Sequence, residues 1–407
     1  MANNFLAICK LREIKSSDKF SSYGTKIFDS GWGQTTLRFN MICGNSRHMA
    51  TIQAGAWMDK NGNIDEKKTV VYSLKNAEKE GDSPTPVKIP YAKRLDKDVI
   101  ESTPNYRTYV VDTEIPGRRY KLSGAVKAFK DGSITDETMD ELGVHTEEEA
   151  KAALEKSESK RHTFIYYGDF LEHVNKLLKN PNAGKKVWKI RGNIEYQYSE
   201  RDKIFYRNYV PTKIYLAEDD EVQGMTANFN IFFNKDSFDD QLFDEKNKYY
   251  INGFVRYYDS NYKNDSCKGQ LSCPMTFVID GKDEKKAKVL KKRFTTFDGE
   301  CEWKELGVVC ECIDGAETVE ITMDQLSDDQ REDIEAGLVS FDEIKREMGG
   351  YAYGDRIIET RIVGLQRGFS GGAKDTVYSD SDFEEPKHDA KADTEDISAD
   401  EDDDLDI

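Results

Sequence analysis

The sequence predicts a mainly β chain of the α+β class, arranged as two folded blocks and an acidic tail. Three observations carry that expectation. Lys185 to Ala217 reads as two strands around a charged turn, with Trp188, Ile190, Ile194, Tyr196 and Tyr198 alternating against Lys189, Arg191, Asn193, Glu195 and Gln197. A period of two is the signature of a half-buried strand. Asp169 to Lys179 carries Phe170, Leu171, Val174, Leu177 and Leu178 at the spacing of one helix face. Residues 375–407 hold fifteen Asp/Glu and two Lys, and a stretch so poor in apolar groups does not fold on its own.

In chain order, Thr36 to Met58 alternates as one long strand or a strand pair interrupted at Gly44-Asn45-Ser46, and Asp59-Lys60-Asn61-Gly62-Asn63 makes the following turn because Asn-Gly tolerates positive φ. Thr69 to Leu74 and Tyr106 to Val111 are strands, and Ala77 to Pro90 is a polar, proline-containing loop. Lys121 to Phe129 alternates again. Thr135 to Glu158 is Ala/Leu/Glu-rich behind the capping box Thr146-Glu147-Glu148-Glu149, so a helical insertion is expected near 135–158. Phe164 to Tyr167 is a short strand, the amphipathic helix follows, and Asn180-Pro181-Asn182-Ala183-Gly184 stops it. Strands, then a helix, then two closing strands is the order of a five-stranded oligonucleotide-binding (OB) barrel. That assigns residues 1–220 to an OB-fold domain.

Thr226 to Phe233, Tyr249 to Tyr258, Gln270 to Asp280, Glu302 to Cys312, Glu317 to Ile321 and Arg356 to Leu365 are strands of a second block, 221–367. Helices are expected at Asp283 to Lys292 and within Met323 to Met348. The block is β-rich and open between a second OB-like barrel and another arrangement; no internal repeat stands out. Gly368 to Lys374 is a Gly/Ser joint, so 368–407 is expected to be a linker and disordered tail.

The net charge is −18, and the tail supplies most of it. Lys160 to Tyr215, by contrast, holds twelve Lys/Arg against five Asp/Glu. Acid concentrated in a tail and a basic island in the body is the pattern of a nucleic-acid binder whose tail opposes non-specific contacts. No run of eighteen apolar residues is present and the first residues lack a signal-peptide pattern, so a cytoplasmic protein is expected. Seven cysteines favour free thiols over a disulfide framework.

Two parts of the chain resemble the bacterial-type single-stranded-DNA-binding proteins. Asp169-Phe170-Leu171, Leu177-Leu178, Val187-Trp188-Lys189-Ile190-Arg191-Gly192-Asn193-Ile194 and Tyr206-Arg207-Asn208-Tyr209-Val210-Pro211-Thr212-Lys213-Ile214 resemble that family's helix, long hairpin and last strand. The chain's end, Asp402-Asp403-Asp404-Leu405-Asp406-Ile407, resembles its acidic tail, with Leu405 and Ile407 where the family carries Pro and Phe. The size and insertions look like an enlarged, phage-encoded version. The resemblance implies single-stranded DNA as ligand, roles in replication, recombination and repair, a tail that recruits partner proteins, and a homo-oligomer or two domains of one chain in its place.

The residues expected to hold the strand are Lys189, Arg191, Arg207, Tyr209, Lys213 and Tyr215: cations for the phosphates and rings for the bases. Trp188 falls on the opposite face and is expected in the core. Asp402, Asp403, Asp404, Leu405, Asp406 and Ile407 are expected to dock a partner. No cofactor is expected: the cysteines lack a Cys-x2-Cys spacing, the glycine of Asp59 to Asn63 is misplaced for a calcium loop, and Gly368 to Lys374 is not a phosphate-binding loop. No Ser, Cys and His arrangement supports an enzyme. The competing expectations are an RNA binder of the same fold and a β-rich viral structural or assembly protein.

Overall fold

The structure, a computed structural model, describes residues 3–16, 21–77, 79, 81–259, 269–297, 301–320, 323, 326–341, 343–344 and 351–384. The expected partner-docking tip, 402–407, lies outside them, as does Cys267.

Strand β1 (Asn4–Glu13) buries Phe5, Ala7, Cys9 and Leu11 on one side. It is followed by β2 (Tyr23–Ile27), β3 (Trp32–Cys43) and β4 (Ser46–Trp57), whose inward Leu37, Phe39, Met41, Ala50, Ile52 and Ala54 continue the same core. A long excursion then carries β5 (Val70–Lys75), β6 (Thr85–Pro90), α1 (Lys97–Ser102), β7 (Tyr109–Asp112), α2 (Pro116–Asp131), α3 (Asp136–Leu142), α4 (Glu147–Glu158) and β8 (Arg161–Phe164). The chain returns through α5 (Tyr167–Leu178), whose Phe170, Leu171 and Val174 are fully buried, into the hairpin β9 (Val187–Ser199) and β10 (Ile204–Leu216).

Five of these strands form a ring of pairings. β1 runs antiparallel to β9 along one edge and to β3 at Leu11↔Met41, and β3 pairs β4 along its whole length. β9 pairs β10, and β10 comes back to β4 as a parallel pair at Tyr209↔Ala50. The order is repeated by the second half of the chain: β11 (Gly224–Phe233), β12 (Phe238–Asp239), α6 (Phe243–Lys246), β13 (Lys248–Tyr258), β14 (Gln270–Asp280), α7 (Glu284–Thr295), β15 (Lys304–Glu320), α8 (Asp328–Glu335) and β16 (Tyr351–Leu365). Here β11 pairs β13 at Phe232↔Phe254, β13 pairs β14, β14 meets β16 in parallel at Val278↔Arg361, and β16 returns through β15 to β11. In each ring the helix that enters the core precedes the fourth strand. The repeat escapes a reading of the sequence because its common content is only an inward apolar period, Phe5, Ala7, Cys9, Leu11 against Met225, Ala227, Phe229, Ile231.

The rings are fused. β1 pairs β11 antiparallel from Asn4↔Asn228 to Ile8↔Gly224, and Asn228 Nδ2 donates to Asn4 Oδ1 at 2.7 Å. β15 touches β4 at Gly315↔Ser46, and one apolar core runs through both rings.

Several expectations change. The alternation of Lys121 to Phe129 belongs to helix α2: Leu122, Ala125, Val126 and Phe129 fall on one helical face and form a separate small core with Leu142, Val144 and Ala150. The expected loop 77–90 contains β6, which pairs β5. Thr146 does cap α4 by accepting from the Glu149 N–H, but Glu149 reaches the His145 N–H rather than closing the box. The expected flexible stretch from 368 begins as ordered chain, with β17 (Lys374–Asp375) pairing β15 and with Phe369 and Phe383 buried. The anchors are aromatic residues that the surrounding acid and glycine conceal.

Two tests follow from this packing. A Cβ at Gly192 would fall inside the contact distance of the Val210 carbonyl oxygen and press on Phe5, so Gly192→Ala is expected to cost about 1–3 kcal/mol in denaturant unfolding; an unchanged midpoint contradicts the close approach. His48, buried on β4, is pushed down to about 4, by burial first, with Arg207 adding to it and Asp314 opposing. The unfolded chain takes up that proton near pH 6.5 and the folded chain only near 4, so stability is lost as pH falls through that window. The loss is on the order of 3 kcal/mol, and His48→Phe, measured by thermal unfolding across pH 4–7, is expected to flatten it.

Candidate nucleic-acid interface

The hairpin carries the six expected contact residues, and a bulge divides them. Register along β9 and β10 shifts between Pro211 and Lys213, a device that one extra residue and a proline produce in a strand. Before the shift Arg207 opposes Tyr196 and Tyr209 opposes Ile194, so both point inward. Tyr209 is 5% exposed and stands edge-on to Phe5 and His48, with ring centroids 5.4 and 5.5 Å away. Arg207 lies 5.4 Å over the Tyr209 ring, half-buried. A base has no access to Tyr209, and the single contact face expected for the six residues does not exist. Trp188 is in the core as expected, its Nε1 donating to the Ala183 carbonyl at 2.9 Å.

After the shift Lys213 opposes Arg191 and Tyr215 opposes Lys189. These four share an outward face that β7 and β8 widen, because Tyr215 pairs Asp112 and Asp112 pairs Arg161. Helices α2 and α4 wall a cleft of about 530 Å³ over it, lined by Arg119, Tyr120, Glu158, Arg161, Lys189, Arg191 and Tyr215 among others. Arg119 is committed to the buried Asp112, and Lys189 is ion-paired to Glu221. Arg161 and Arg191 make no side-chain ion pair or hydrogen bond among the described residues, and Lys213 Nζ donates only to the Asn105 carbonyl at 3.0 Å. Burial lowers the Lys213 pKa, and Arg161 and Arg191 lower it further. Burial raises the Tyr215 hydroxyl while the same two guanidiniums pull it down. Three cations thus crowd one tyrosine, an arrangement suited to an anion. Arg161 and the 83% exposed Tyr120 were invisible in the sequence, since an insertion of unknown placement brings them there.

A second surface was missed altogether. On β3 the residues facing away from the core are Trp32, Gln34, Thr36 and Arg38, and opposite them on β4 stand Trp57, Gly55, Gln53 and Thr51, continued by Met49 and Arg47. β2 adds Lys26, whose Nζ sits 4.7 Å over the Phe28 ring. Trp32 and Trp57 meet edge to face at 5.5 Å, and the Trp32 ring covers Gly55 so closely that any Cβ there would strike it. Trp32 is 37% exposed, Phe28 38% and Met49 44%. No carboxylate belongs to this face of β2, β3 and β4. The sequence signal was present as the Trp32 and Trp57 positions in an alternating strand pair, and the richer cation content of the later hairpin outweighed it.

No family model matches the chain, and no curated protein matches it. Among solved structures it is similar to a deletion mutant of the single-stranded DNA binding protein from Thermus aquaticus, with 7% identity, a TM-score of 0.24, and coverage of 77% of this chain and 87% of that one. A likeness of that quality carries no weight on fold or function.

Because Arg161 and Arg191 repel each other and Lys213, removing both with alanine is expected to leave stability at low salt within about 0.5 kcal/mol of the parent or to raise it. A loss above about 1 kcal/mol in urea unfolding would mean that they hold the sheet together.

Proposed function

We propose that this protein binds unpaired nucleic acid, single-stranded DNA in the first instance, and acts without catalysis. Each five-strand ring has the order of an oligonucleotide-binding barrel, with the helix before the fourth strand and the third and fifth strands side by side, and barrels of this kind bind along their second and third strands. In the first ring those strands are β3 and β4. The observation that carries the proposal is the carboxylate-free outer face of β2, β3 and β4, where Phe28, Trp32 and Trp57 offer rings and Lys26, Arg38 and Arg47 line the same surface. Stacking of unpaired bases on such rings is worth about 1–3 kcal/mol each. Arg191, Lys213 and Tyr215, joined by Arg161, supply a second, phosphate-holding contact on the β9–β10 face, with Lys189 beside them held by Glu221.

In the same proposal the chain coats exposed strands during replication, recombination or repair in the cytoplasm. The acidic end, with Asp402, Asp403, Asp404, Leu405, Asp406 and Ile407, recruits partner proteins. Two rings in one chain stand in for two subunits of a smaller relative.

The test is intrinsic fluorescence titrated with oligo-dT at two salt concentrations. Binding quenches Trp32 and Trp57 and weakens as salt rises; read by the fluorescence anisotropy of a labelled oligo-dT, it drops at least tenfold in Trp32→Ala with Trp57→Ala. Arg161→Ala with Arg191→Ala weakens it and flattens the salt slope without removing the quench. Tighter binding of oligo-U than oligo-dT would make RNA the ligand. Absence of any quench at low salt would remove the proposal and leave a β-rich assembly protein as the better account.

A further inference from the structure

The second ring presents the same kinds of side chain on the corresponding strands, and there they are covered. Outward Phe232 on β11, Phe254 and Arg256 on β13, and Ser272 and Pro274 on β14 form one surface, with Trp303 beside it. Residues 376–384 lie across it. Phe383 stacks on Trp303 with centroids 3.9 Å apart and stands 5.1 Å from Phe254. Tyr378 meets Phe232 edge-on at 5.4 Å, and the Arg256 guanidinium sits 4.1 Å over the Tyr378 ring. The acids of the segment complete the set: Asp382 lies 3.8 Å from Arg256, and Asp380 accepts from Trp303 Nε1 at 2.8 Å. Ser272 Oγ donates to the Asp382 carbonyl at 2.7 Å.

We propose that the outer face of β13 and β14 is a second binding site for an unpaired nucleic-acid strand, and that residues 376–384 occupy it as a competitor within the chain. The segment meets the demands that a strand would meet. Tyr378 and Phe383 fill the ring positions of bases, and Asp380 and Asp382 put anionic oxygens where backbone phosphates would find an arginine and an indole N–H. The segment lies as a strap on an outer face: Val377, just before Tyr378, is 98% exposed, and Phe383 closes a small apolar cluster with Phe232 and Trp303 that is separate from the main core. It follows β17, which holds Lys374 and Asp375 against β15, so a strand has to displace only the stretch beyond Thr376. The strap and a strand compete for the same groups, so strand binding at the second ring requires displacement of the strap. This inference rests on the strand-binding reading of the first ring.

The experiment uses the full chain in two versions with a released strap. Asp380→Asn with Asp382→Asn removes the charges and keeps the shapes; Phe383→Ala removes the main anchor. Both are titrated with oligo-dT of increasing length at low salt, and near-UV circular dichroism verifies packing. Released chains are expected to bind at least threefold tighter and to occlude a longer oligonucleotide than the parent, and Arg256→Ala added to them is expected to cancel the gain. Parent and released chains that bind alike, in affinity and in length, overturn the strap proposal alone. Released chains that bind while the parent does not would uphold it and overturn the assignment of the first ring. Failure of all of them to bind overturns both. If Phe383→Ala proves unfolded, the paired Asn variant decides.

Discussion

The antiparallel pairing of β1 with β11 is the contact on which the architecture depends. Each of these strands opens a ring, and each divides one backbone edge between two partners. β1 uses residues 4–8 of that edge for β11 and residues 10–13 for β3; β11 uses residues 224–228 for β1 and Phe232 for β13. The opposite edges are filled by β9 and β15. No stretch of these two first strands therefore presents a long open edge, the feature that otherwise invites aggregation. The shared edge also merges the two apolar cores into one, so neither ring is expected to hold its shape without the other.

From that fusion follow the faces available for binding. With inner faces committed to a common core, the outward residues of β3, β4, β13 and β14 and of the widened β9–β10 sheet are the ones left for a ligand to meet. On the first ring they are aromatic and cationic and open. On the second they are aromatic and cationic and hold a piece of the same chain. The α2–α4 insertion adds a wall over the β9–β10 face and turns an ordinary solvated sheet into a cleft with two uncommitted arginines.

Much of this was legible in the residues. The strand pair from Thr36, the hairpin from Val187, and the helix at 169–179 each have an unmistakable period, and Trp188 fell correctly into the core. The bulge at Pro211 to Lys213 did not show, because alternation counted straight through it places Arg207 and Tyr209 with Lys213 and Tyr215. Its one trace was a proline inside a strand. The repeated ring was hidden because parallel closure is a single bridge in each ring, Tyr209↔Ala50 and Val278↔Arg361, and contacts so distant in sequence leave no local mark. The strap was hidden for a different reason: Asp380, Asp382 and Glu384 around Phe383 read as solvated acid until Trp303 and Arg256 stand opposite them.

The proposed binding mode lays an unpaired strand along the outer face of β3 and β4. Photocross-linking with an iodouracil-substituted oligonucleotide, followed by peptide mapping, locates that strand on the protein. Adducts at Trp32, Trp57 or Phe28 are the predicted result. Adducts confined to the 188–215 hairpin, with none on β3 or β4, would contradict it.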